Sequence, residues 1–122
     1  MIYLKNYQKN FFKENGYLII ENFIDKKTVS VLREASFDLF KGKYQTNIAP
    51  DKIKWSLQNS KIKKRQPRQL CNVWKSNYHF ASVILSKKIG KLASELMNWN
   101  GVRLSQDSLI WTPPKSGGVS MH

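Results

Sequence analysis

Apolar residues recur at helical spacing near the start of the chain, and each such stretch ends at a helix-terminating signal. Leu4, Tyr7, Phe11 and Phe12 predict a short amphipathic helix over residues 3–14 that ends at Asn15-Gly16. Asp25 is a suitable N-cap for a second, longer helix that runs to Gly42. The first third of the chain is therefore predicted to be mainly helical.

A second helical pattern begins at Tyr78 and leads to Ser86, which is again a suitable N-cap. The helix after it is predicted to end at Asn100-Gly101. An apolar stripe marks its buried side: Ile89, Leu92, Ala93, Leu96 and Met97. Such a stripe indicates a core-facing helix.

β-Branched and aromatic residues predict strands in two places and suggest a third. Residues 17–23 (YLIIENF) are predicted as a strand, and residues 102–111 (VRLSQDSLIW) as a longer one that stops at Pro113-Pro114. Residues 119–122 (VSMH) begin another apolar–polar alternation after a Gly-Gly turn. Residues 43–68 mix turn signals with a basic run at 61–65, and they are predicted as a long loop or a short helix with an exposed turn.

The order of these elements indicates an α+β fold in which a helical layer covers a small sheet. We expect one partial domain over residues 1–122, mainly helical over 1–98, with the first strands of an incomplete sheet over 99–122. Two or three strands leave a sheet edge exposed, so the layout is that of an unfinished fold.

Composition limits the class of protein. The chain has 122 residues, of which 41% are hydrophobic and 12% aromatic, as in a globular domain. Cys71 is the only cysteine, so no intrachain disulfide can form, and a reducing compartment is expected. No run is long and apolar enough for a signal peptide or a membrane span, so the expectation is a cytoplasmic protein without a membrane partner.

The net charge of +13 has two explanations. A nucleic acid or another polyanion would be attracted to it. However, 17 of the 21 basic residues are lysines and ten residues are asparagines, as an AT-rich genome would encode. Dedicated nucleic-acid sites rely more on arginine, so composition bias is the favoured explanation and nucleic acid the less favoured partner.

Standard catalytic motifs are missing from the sequence. It contains neither a glycine-rich phosphate loop, nor a Cys-x-x-Cys pair, nor a His-Glu-x-x-His motif. Its two histidines are His79, within an apolar helical stretch and interpreted as a packing or surface residue, and His122.

Three segments taken together resemble the N-terminal part of a known enzyme family. They are FFKENGYLIIENFID (11–25), NVWKSNYHFASVILSKKIGKLASELM (72–97) and VRLSQDSLIWTPPKSGGVSMH (102–122). In this order they are similar to the phytanoyl-CoA dioxygenase-like family of Fe(II)/2-oxoglutarate-dependent oxygenases. The resemblance implies a double-stranded β-helix, also called a jelly-roll or cupin-like barrel, and hydroxylation of a small organic substrate.

The resemblance also implies roles for four residues. His122 would be the first iron ligand, from the His-x-Asp motif of the family. Ser108 stands where the family contacts 2-oxoglutarate, and Gln69 and Asn72 fall near a position from which an upstream side chain reaches the same cosubstrate. A facial triad of two histidines and a carboxylate would leave iron positions open for the cosubstrate and O2.

The sequence departs from the family pattern in ways that leave alternatives open. The aspartate of His-x-Asp, the second histidine ligand and the cosubstrate-binding arginine are not present, and Thr112 and Lys115 replace residues common around Pro113-Pro114. We therefore expect a truncated oxygenase that is inactive as this chain. The alternatives are a small basic binding module and a decayed oxygenase remnant that binds a partner, and the sequence sets neither the substrate nor the oligomeric state.

Overall fold

The computed structural model describes residues 4–53 and 67–115, which form four helices and a three-stranded antiparallel sheet whose strands lie side by side in chain order. The fold is α+β. Residues Val73–Lys75 form a 3₁₀ turn. The elements are α1 (Asn6–Asn15), α2 (Lys26–Phe40), β1 (Lys52–Ile53), β2 (Arg68–Cys71), α3 (Tyr78–Ile84), α4 (Lys87–Met97) and β3 (Ser108–Trp111).

Local capping explains where the helices begin and end. Gly16 adopts a left-handed conformation (φ 78°) and ends α1, as predicted. The Asp25 carboxylate accepts the backbone N–H of Thr28 at the start of α2, and the Ser86 hydroxyl accepts that of Ile89 at the start of α4. These predicted caps are confirmed. The predicted end of α4 is wrong, because Asn98 takes the left-handed conformation (φ 53°) and stops the helix at Met97.

A small core lies where α2 and α3 meet the sheet. Leu39, Phe40, Leu70 and Val73 are buried there. Five partly buried side chains surround them: Tyr44, Phe80, Ile84, Leu109 and Trp111. Among the described helices only α2 contains buried residues; α3 contributes the partly buried Phe80 and Ile84, and α1 and α4 contribute no side chain to this core.

The strand predictions needed correction in three places. Residues 17–23 form no strand, and Ile19 is 75% exposed. Of the predicted strand over 102–111, only Ser108–Trp111 pairs with another strand. The short strand Lys52–Ile53 lies inside the stretch 43–68 predicted as a loop or short helix, and the strand Arg68–Cys71 begins at the last residue of that stretch. A strand needs a hydrogen-bonding neighbour, and residue type alone does not provide one.

Some predictions concern residues outside the described ranges. These are the basic run at 61–65, the alternation at 119–122 and His122. Within the described ranges, no helix combines the length and apolar character needed to cross a bilayer.

Candidate functional site

The pairing of β2 with β3 gives the sheet two chemically different faces. Leu70 pairs with Leu109, and Arg68 with Trp111, on the face that meets the core. The guanidinium of Arg68 lies 4.6 Å from the centroid of the Trp111 ring, which extends this face. Because side chains alternate along a strand, the remaining pairs point the other way.

The second face carries Gln69 opposite Ile110, and Cys71 opposite Ser108. Ser108 is exposed and Ile110 is 50% exposed, whereas Cys71 is buried. Gln69 and Ser108, two of the three residues predicted to contact 2-oxoglutarate, lie on this face. We call Gln69, Cys71, Gln106 and Ser108 the polar sheet face.

Hydrogen-bonding groups on the polar sheet face lie within contact distance of one another. The Gln69 and Gln106 amide nitrogens are each 3.4 Å from the Ser108 hydroxyl oxygen. The Gln106 amide nitrogen is also 3.4 Å from the Cys71 sulfur. Contacts between nitrogen and oxygen at this length are weak, since such bonds are usually near 3.0 Å. The amide and hydroxyl donors can therefore turn toward a bound anion at little cost.

Asn72 occupies a different position from Gln69 and Ser108. Its backbone is left-handed (φ 56°), and its side-chain amide donates to the Asp51 carboxylate at 2.6 Å. Its side-chain carbonyl accepts the backbone N–H of Asp107 at 3.3 Å. The structure thus brings Gln69 and Ser108 together but gives Asn72 partners in the turn after β2. A cosubstrate contact from Asn72 stays a prediction.

Asp107 supports the turn that follows β2, a role that the sequence did not indicate. Its carboxylate accepts the backbone N–H of Val73 at 2.9 Å and that of Trp74 at 3.4 Å, so it caps the 3₁₀ turn. Burial raises the pKa of this carboxyl, although the two backbone hydrogen bonds oppose the shift. The only signal for it in the sequence was an acidic residue directly before a short β-branched and aromatic run.

Asp51 lies close to Asp107, and its pKa is shifted in the opposite direction. Its carboxylate is hydrogen-bonded to the Lys75 ammonium, with which it forms an ion pair, and to the Asn72 amide. Both hydrogen bonds lower the pKa of Asp51, and the one from Lys75 has the larger effect. Together these groups fasten the start of β1 and the end of β2 to the 3₁₀ turn. They hold the polar sheet face in place rather than forming part of it.

His79 lies in the helical layer. Its side chain is exposed and helps to line a cleft of about 300 Å³ beside α2, together with Glu34, Asp38 and Tyr44. Over residues 4–53 and 67–115, no group of three His, Cys, Asp or Glu side chains could hold a metal ion. The prediction that His79 is a surface or packing histidine agrees with its exposure.

Comparisons with known proteins give no family assignment. The chain matches no family model, no curated protein and no solved structure.

Proposed function

We propose that this chain forms the N-terminal part of an Fe(II)/2-oxoglutarate-dependent oxygenase, as its resemblance to the phytanoyl-CoA dioxygenase-like family implies. In this proposal the sheet is one wall of a jelly-roll barrel with the helices outside it. The observation that supports it best is the division of the β2–β3 pair into a core face, with Leu70 and Leu109, and a polar face, with Gln69 and Ser108. A barrel wall needs this division between packing and binding.

The donor chemistry of the polar sheet face suits a carboxylate. The Gln69 amide and the Ser108 hydroxyl can both donate to one anionic oxygen, because their mutual contact is only a weak one. When bound, iron and 2-oxoglutarate would supply the oxidising power for hydroxylation. The role of these side chains would be to orient the cosubstrate, and Ile110 beside them would help to exclude water.

Iron itself would need ligands beyond those described. His122 is the proposed first ligand, and it lies outside the described residues. His79, the other histidine, lines the cleft beside α2 and is not on the polar sheet face. Since a single protein ligand holds Fe(II) poorly, we expect the 122-residue chain alone to bind Fe(II) no better than a His122→Ala variant and to be inactive.

A 2-oxoglutarate titration followed by backbone amide NMR tests the proposed cosubstrate face. We expect shifts to concentrate at residues 68–71 and 106–110, with Ser108→Ala weakening the affinity at least threefold. Ser105→Ala is the matched control, because Ser105 is exposed and precedes the strand. The proposal would be contradicted if the amide shifts changed outside β2 and β3 only, or if Ser108→Ala and Ser105→Ala lost affinity for 2-oxoglutarate equally.

A basic binding module is the second candidate, and the charge of the chain supports it. The ion pairs found in residues 4–53 and 67–115 use Lys9, Lys43, Lys75 and Lys91, and the whole chain carries a net charge of +13. Binding to duplex nucleic acid that weakens steeply with salt, without any 2-oxoglutarate-dependent shift, would favour this candidate. A decayed oxygenase remnant would instead self-associate through exposed apolar residues such as Ile19 and Ile110.

A further inference from the structure

A small cleft lies along the first half of α2, away from the polar sheet face. Its volume is about 260 Å³, and it is lined by Ile24, Lys26, Val29, Ser30 and Arg33. Lys26, Ser30 and Arg33 are spaced four and then three residues apart, so their side chains project from the same side of the helix. Two cations and a hydroxyl therefore border one cleft with an apolar wall.

The two cations of this cleft have no carboxylate partner in the described part of the chain. The ion pairs found there use Lys9, Lys43, Lys75 and Lys91, not Lys26 or Arg33. The acidic residues of α2, Glu34 and Asp38, line the separate cleft that contains His79. The α2 cleft thus keeps its positive charge.

Lys26 lies among charged groups of both signs. Lys26 is the first residue of α2, where the helix dipole disfavours a cation. The neighbouring Asp25 carboxylate accepts hydrogen bonds from both the backbone N–H and the hydroxyl of Thr28. Close by, the Lys88 ammonium donates to the Phe23 carbonyl and lies 4.2 Å from the centroid of the Phe23 ring. A bound anion would offset the unfavourable interaction between Lys26 and the helix dipole.

We propose that the α2 cleft binds a small phosphate monoester with a short apolar body. The Arg33 guanidinium matches the geometry of phosphate oxygens with two parallel N–H donors, and Lys26 supplies a second positive charge. The Ser30 hydroxyl donates to a third oxygen. The apolar part of the ligand lies against Ile24 and Val29, which is 43% exposed without it. The cleft is small, so it suits a ligand smaller than a nucleotide. This inference does not depend on the proposed oxygenase function.

Titration of the isotope-labelled protein with phenyl phosphate tests the inference by amide NMR. We expect shifts confined to residues 23–34 and at least a fivefold loss of affinity in Arg33→Gln. Lys13→Gln is the matched control, because Lys13 is an exposed helical lysine with no carboxylate partner among residues 4–53 and 67–115. That control should bind within about twofold of the unmodified chain, which corresponds to under 0.5 kcal/mol.

Two further measurements distinguish specific binding in the α2 cleft from non-specific attraction of an anion to a basic protein. Arg33→Lys keeps the charge but loses the paired N–H donors, so its affinity should fall between those of the parent and Arg33→Gln. Inorganic phosphate should bind more weakly than phenyl phosphate, because it lacks the apolar body. Equal losses in Arg33→Gln and Lys13→Gln, or shifts spread over all the lysine-bearing helices, would overturn the inference. Circular dichroism checks that each variant keeps its helices.

Discussion

The end of the molecule around β2 and α3 is packed far more tightly than the end formed by α1 and α4. Leu39 and Val73 are each 1% exposed in the first region. In the second, neither α1 nor α4 contributes a side chain to the core cluster, and Trp99 just after α4 is 57% exposed. Both regions have well-capped helices, so capping alone does not produce a core. The difference comes from the sheet, which gives α2 and α3 an apolar surface to cover.

Polar side chains also differ between the two regions. At the packed end, Asn77 is 2% exposed and accepts the backbone N–H groups of His79 and Phe80. At the loose end, Glu95 contacts Lys9 and Lys91 at 3.7 and 3.8 Å on the surface. Surface ion pairs contribute little, whereas a buried polar group that loses its partner is costly. The stability of the molecule should therefore depend on the packed end.

The largest expected effect comes from removing core volume. Leu39→Ala should lower the free energy of unfolding by about 3 kcal/mol, because it leaves a cavity between α2 and the sheet. Leu92→Ala is the matched change in α4, where the side chain is only half-buried, and it should cost about 1 kcal/mol. Urea denaturation measures both. Equal costs would show that α4 is packed as tightly as α2.

A smaller effect is expected from the two N-caps. Asn77→Ala should cost about 2 kcal/mol, because two backbone N–H groups lose their acceptor where burial excludes water. Ser86→Ala removes one acceptor from a half-buried position at the start of α4 and should cost about 0.5 kcal/mol. Thermal unfolding of the two variants gives the ranking. A larger loss for Ser86→Ala would contradict the comparison.

The smallest effect concerns pH and separates two neighbouring aspartates of the packed end. Burial raises the pKa of Asp107 above the ordinary 3.8, so the native state should lose stability as pH rises through the range just above 3.8. The Lys75 and Asn72 hydrogen bonds lower the pKa of Asp51, so its stabilising contribution is present above 3.8 and is lost as pH falls below it.

Urea midpoints from about pH 2.5 to about pH 6 test this difference. Relative to the unmodified chain, Asp107→Asn should gain stability as pH rises above 3.8, and Asp51→Asn should lose stability as pH rises toward 3.8. If stability depended on pH in the same way in both variants, burial would not be what sets the pKa of Asp107.

Parts of the candidate site could be predicted from the sequence, and others could not. Ser108 was placed on a strand, and it lies on one. The contact between Gln69 and Ser108 joins positions 39 apart, and it exists only because β2 pairs with β3 in this register. Asp107 could not be recognised as a cap, because the N–H groups that it accepts lie more than thirty residues away.

The sequence by itself determined which regions are helical, the caps at Asp25 and Ser86, and the left-handed end at Gly16, although not the end of α4. These features depend on hydrogen bonds within four residues, so local residue types specify them. Only the tertiary structure decided which extended segments became strands: residues 17–23 did not, and Arg68–Cys71 did. A strand satisfies its backbone groups through a partner that is distant in the chain, and so its existence depends on the packing of the whole fold.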